Sequence, residues 1–153
     1  MTIPASSIPA AKLWIVQHIA AHLPTPNDPT VTISYDAPAA GTSFDDLIIV
    51  GRVERIVEPH AMVGSMQAGS LEEQYTVEVE VVVFRGGDQA QVVFERASAL
   101  ADAVVATVRT DPTLGGAVLL CRPGALLYES LWDDGHLGRE ATVTVPIFCR
   151  QVI

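Results

Sequence analysis

The 153-residue sequence predicts an α+β domain: a mainly antiparallel β-sheet with two principal helices packed on one face. Three observations carry that expectation. Tyr75, Val77, Val79, Val81 and Val83 alternate with Thr76, Glu78 and Glu80, which is the two-residue period of a strand with one apolar face. Beyond Arg85-Gly-Gly-Asp88 the period changes. Val93, Ala97, Leu100, Ala101, Val104 and Val108 then fall on one stripe at helical spacing, with Glu95, Arg96, Asp102 and Arg109 mostly off it. Finally, the C-terminal third is a series of apolar, strand-like segments separated by turn residues.

In chain order, residues 8–23 open the fold as a helix. Ile8, Ala11, Ile15, Ile19 and Leu23 follow three- and four-residue steps. Pro9 suits a first turn, Ser6 or Ser7 is available as a cap, and Pro24, Pro26 and Pro29 forbid continuation. A short strand over 30–35 and a loop over 36–46 follow. Residues 47–57 read as a long strand bent or bulged at Gly51. The stretch 58–70, with Pro59, Gly64 and Gly69 around Met62, Val63 and Met66, reads as a flexible loop, and its methionines suit an adaptable contact surface.

The strand over 71–84 then turns into the helix over 89–110, with Asp88 as its expected cap and Gln91 completing a capping box. Arg109, Asp111-Pro112 and Gly115-Gly116 mark the helix end. Three strands, 117–122, 125–132 and 137–153, close the chain across turns at Pro123-Gly124 and Asp133-Asp134-Gly135. Pro146 cannot donate to a ladder, which predicts an edge or bulged position for the last strand. There is no internal repeat, and the expected organisation is a single domain over 1–153.

Composition excludes several function classes. Net charge is −9, from 18 acidic and 9 basic residues, and Lys12 is the sole lysine. A protein that grips nucleic-acid phosphates needs clustered Lys and Arg, and none is present. No apolar run reaches the roughly 20 residues that span a bilayer, and the N-terminus has no secretory pattern, so a soluble cytosolic protein with no membrane partner is expected. Cys121 and Cys149 are too few for a disulfide framework. They read as small buried hydrophobes, with a disulfide or redox role as the lesser alternative.

Candidate chemistry is sparse. His18 and His22 have the i,i+4 spacing of a helical metal pair, but no further ligand follows. Asp45-Asp46 and Asp133-Asp134 are adjacent pairs in turn contexts and read as local turn chemistry. Asp134 and His136 suggest a dyad without a nucleophile, and Arg85-Gly-Gly-Asp88 lacks the spacing of a phosphate loop. The expectation is no catalytic residue, no cofactor and no metal.

Four stretches carry a resemblance: YTVEVEVVVF at 75–84, RASALADAV at 96–104, RTDPTLGG at 109–116 and REATVTVPIFCR at 139–150. With an N-terminal helix before a Pro-rich connection, their order resembles the tail terminator (tail completion, or minor tail) proteins of long-tailed phages. The match covers about residues 74–150, and the first helix more weakly. The resemblance implies a structural, non-enzymatic protein of the virion tail or neck, assembled in the host cytoplasm. It implies a homo-oligomer, a hexameric ring, that caps the tail tube and presents a surface to the head–tail connector proteins.

The acidity fits a lumen through which DNA passes without specific binding. Glu78 and Glu80, with Glu72 and Glu73, are the candidate lumen acids. Met62, Val63 and Met66 on the 58–70 loop are candidates for contact with a ring neighbour or the tube. Two alternatives remain: a head-closure or neck connector protein, and a small α+β enzyme or ligand-binding domain using Asp134 and His136.

Overall fold

The computed structural model describes residues 6–39, 45–59, 71–132 and 137–152. Helix α1 (Ile8–His18) is followed by a 3-10 turn at Ala20–His22, then β1 (Val31–Tyr35), β2 (Asp46–Pro59), β3 (Leu71–Gly86), α2 (Ala90–Thr110), β4 (Leu120–Pro123), β5 (Leu127–Trp132) and β6 (Gly138–Val152). One six-stranded sheet runs β1-β2-β3-β6-β4, with β5 also on β6. Among the described strands only the β1–β2 pair is parallel, and the other strand pairings are antiparallel. The expected α+β class is therefore the observed one.

Long strands β3 and β6 are the spine, because their alternations coincide. Val77, Val79, Val81 and Val83 lie opposite Ile147, Val145, Val143 and Ala141, and all eight are buried. Ile48 and Val50 of β2 extend this apolar face. The α2 stripe docks on it: Val93, Ala97, Leu100, Ala101, Val104 and Val108 have no exposed surface. Each large side chain among them contributes about 1.5–3 kcal/mol of burial. Helix α1 adds Ala11 and Ile15 to the same core, followed by Ile19 and Leu23 just beyond its end. Where a bulge was expected at Gly51, the β2–β3 register shifts between Val50 and Val53.

Pro146 corrects the expectation of an edge strand, since β6 lies inside the sheet. The Gly124 amide donates to the Pro146 carbonyl (2.8 Å), so Pro146 turns its polar side toward β4 and β5 and makes no demand on β3. On that side the partner chain is interrupted: Pro123 pairs with Ile147 and Leu127 with Thr144. Strands β4 and β5 are thus two parts of one broken strand, and the ring that cannot donate faces the break. They do not form a hairpin with each other.

Three local expectations also change. Asp88 does not cap α2. It lies one residue before the N-cap position, which Gln89 occupies, and pairs with Arg139 Nε at 3.0 Å, while Gln91 bonds Glu95 (2.9 Å). Ser7 occupies the N-cap position of α1 without a capping bond, its hydroxyl being turned to β3, while Ser6, the other expected cap, accepts from the Ile8 amide at 3.2 Å. Asp46 is a strand residue and not a turn residue. It is 2% exposed and held by Arg85 Nη1 (2.7 Å) and Arg96 Nε (3.0 Å).

Candidate functional site: the acidic sheet face and its apolar edge

With both helices on one face, the other face of the sheet carries the polar half of each alternation. Glu78 lies opposite Pro146 and Glu80 opposite Thr144 and Ile49. Glu140 and Glu129 join them: Glu129 pairs with Thr142, whose hydroxyl lies 3.4 Å from Glu140. Four carboxylates therefore share one face. Burial pushes the Glu80 carboxyl above its ordinary value, and the charges of Glu140, Glu78 and Glu129 push it the same way. Beside Glu78 and Glu80, a shallow cleft of about 330 Å³ is lined by Asp36, Ala37, Ile49, Gly51, Arg52 and Thr144. The β2 bulge places Gly51 and Arg52 against Glu78 there.

Strand β5 borders this face, and all six of its residues are exposed. Leu127, Glu129 and Leu131 point outward with Thr144, Thr142 and Glu140. Tyr128 and Trp132 point to the helix side, where Tyr128 meets Phe94 (5.7 Å between ring centroids) and Trp132 lies under the Arg139 guanidinium (3.8 Å). Among the described residues no strand lies on the other side of β5. An apolar edge strand is a surface on which another chain can pair.

The candidate lumen acids separate into two groups. Glu78 and Glu80 lie on the outer face, as alternation requires. Glu72 pairs with Arg150, whose Nη2 donates to it at 3.3 Å. Glu73 is not a surface acid at all. It has no exposed surface, lies on the core side, and pairs with Arg55 Nε (2.9 Å). The Ser7 amide and hydroxyl each donate to it at 3.2 Å, and the Ser6 hydroxyl donates as well. Burial raises its pKa, but these donors together with Arg55 outweigh that and leave it lowered. It is the anchor of α1 on β3.

Elsewhere, His18 stacks on Trp14 and bonds the Trp14 carbonyl (2.7 Å), while His22 lies in the 3-10 turn beyond the helix end. Lys12 is buried, with its ammonium 2.6 Å from Asp36 and over the Tyr35 ring. Met62, Val63 and Met66, and the alternative pair Asp134 and His136, lie outside the described residues. Glu129 and Glu140 are the members of the acidic face that the sequence did not single out. Outward alternation of Glu140, Thr142 and Thr144 was the available signal, but it needed the β5–β6 register to become a site.

No family model matches the chain, and no curated protein matches it. Among solved structures, it is similar to a chain from the virion of a native gene transfer agent (GTA) particle, at 14% identity and a TM-score of 0.48, covering 96% of this chain and 99% of that one.

Proposed function

We propose that this protein is a structural virion-assembly protein that forms a ring, terminates a phage tail tube and provides the surface for head–tail joining. The resemblance of the 74–150 region to tail terminators supplies the reading, and one structural observation supports it most. A sheet face not covered by either helix gathers Glu78, Glu80, Glu129 and Glu140 and is bordered by the apolar edge strand β5. Subunits of a ring need head-to-tail contacts between different patches of surface, and an edge strand offers one of them. An acid-rich face turned to the lumen repels the DNA phosphates and lets the duplex pass. In this reading the chain performs no reaction.

The test is to add the purified chain to polymerising tail-tube protein from the same genome and image the products. Ring-shaped caps on tube ends, with growth arrested, are expected. Tubes that grow uncapped while the chain binds the head connector would overturn the tail-terminator role in favour of a head-closure protein. A chain that stays monomeric and binds neither would overturn the virion reading altogether.

A further inference from the structure

Cys121 of β4 and Cys149 of β6 are direct cross-strand partners, and both thiols are unlinked and buried. Three backbone bonds fix what kind of pair this is. The Cys121 amide donates away from β6, to the Pro112 carbonyl at 2.7 Å. The carbonyls of Pro146 and Arg150 accept from Gly124 (2.8 Å) and Leu119 (3.0 Å), so alternate residues 146, 148 and 150 turn their polar groups to this side and Cys149 turns away. Cys121 and Cys149 therefore form a non-hydrogen-bonded antiparallel pair, the type with the closer side chains. Such pairs have Cα atoms about 4.5 Å apart, within the span a disulfide bridges.

Access is asymmetric. Cys121 is 4% exposed and lines an open groove with Val105, Val108, Arg109 and Arg122, whereas Cys149 has no exposed surface. The interaction of the neighbouring thiols pushes Cys121 below the usual thiol range and Cys149 above it, and the Cys149 thiol itself donates to the Ile147 carbonyl at 3.9 Å. Arg109 also borders the groove, while the Arg122 guanidinium stacks over the Phe148 ring, and the negative charge of Asp111 opposes ionisation of the Cys121 thiol.

We propose that Cys121 and Cys149 are a two-thiol site that a low-molecular-weight disulfide, of the oxidised-glutathione class, converts to an intramolecular bond tying β4 to β6. The Cys121 thiolate attacks one sulfur of the oxidant, whose S–S bond breaks, and one small thiol leaves with a proton. The Cys149 sulfur, losing its proton to solvent, then attacks Cys121 and expels the second small thiol. Two protein thiols are oxidised and one small disulfide is reduced to two thiols. The chemistry is independent of the ring. In a virion it would take place on leaving a reducing cytoplasm.

The experiment incubates the folded full chain with oxidised glutathione, without denaturant, and reads intact mass and a peptide map after thiol blocking. Expected is a monomer lighter than the reduced chain by two hydrogens, with peptides joined through 121 and 149, no retained glutathione and a higher Tm. Cys149→Ser should stop at one glutathione on Cys121, and Cys121→Ser should leave Cys149 unmodified. Two thiols that stay reduced until denaturant is added, a stable glutathione adduct on the unsubstituted chain, or a disulfide between two chains would each overturn the proposal.

Discussion

The hydroxyl of Ser7 lies 2.9 Å from the hydroxyl of Tyr75 and 3.2 Å from the Glu73 carboxylate. Ser7 has one hydroxyl proton and gives it to Glu73, so Tyr75 is the donor to Ser7. Burial, which raises the Tyr75 pKa, keeps that proton in place. Ser7→Ala leaves a buried phenol and one carboxylate lone pair short of a partner, an expected cost of about 1–3 kcal/mol. In a domain of this size that lowers Tm by about 2–4 °C per kcal/mol, readable by calorimetry.

The same anchor has a pH signature. Glu73 has a folded pKa below its ordinary 4.5, so its contribution is fully present above the unfolded-chain value and is lost as pH falls through the folded one. Glu73→Gln should therefore flatten the loss of stability below about pH 4.3, and a denaturation series across that range measures it.

Glu80 works in the opposite sense. Burial and then Glu140, Glu78 and Glu129 raise its folded pKa, so the fold gains stability as pH drops through that raised value toward the unfolded one. Carboxyl carbon titration by NMR should place its midpoint above the ordinary glutamate range, and Glu140→Gln should bring it down. Glu80→Gln should stabilise the monomer at neutral pH by less than about 0.5 kcal/mol, because solvent screens a face of this exposure. A midpoint at the ordinary value, unmoved by Glu140→Gln, would contradict the clustering.

Those two glutamates show what a sequence reveals and what it withholds. Alternation is local, and it placed Tyr75 to Val83 in the core and Glu78 and Glu80 outside without any knowledge of partners. Glu73 shares the parity of Tyr75, which places it on the core side, but its burial needs Ser6, Ser7 and Arg55, which only the folded chain brings near. Asp46 is similar: Arg85 and Arg96 reach it across separations of 39 and 50 residues. Strand partnering is equally non-local. The parallel β1–β2 pair, the broken β4–β5 strand and the interior place of Pro146 depend on register, which no single segment encodes. The acidic face was half legible for the same reason, since Glu129 and Glu140 reach Glu80 through pairing and not through spacing.

The turn after α2 gives a sharper test of backbone against packing. Leu114, Gly115 and Gly116 all have positive φ, at 49°, 68° and 89°, and the Asp111 carboxylate fixes the turn by accepting from the amides of Thr113 (3.0 Å) and Gly115 (2.9 Å). A Cβ on Gly115 would sit 2.7 Å from Trp14 Nε1 and 2.8 Å from its Cδ1, whereas one on Gly116 would meet nothing within 4 Å. Gly116→Ala should then cost only the left-handed backbone penalty of about 1–2 kcal/mol. Gly115→Ala should cost that plus the displacement of Trp14 from its stack on His18, where the ring centroids are 4.1 Å apart, for a total of about 2–4 kcal/mol. Trp14 fluorescence should change with Gly115→Ala and stay constant with Gly116→Ala. In a Trp14→Leu background the excess cost at Gly115 should vanish. Equal costs at the two glycines in the unsubstituted chain would show that α1 yields freely to the turn and that Trp14 does not hold them together.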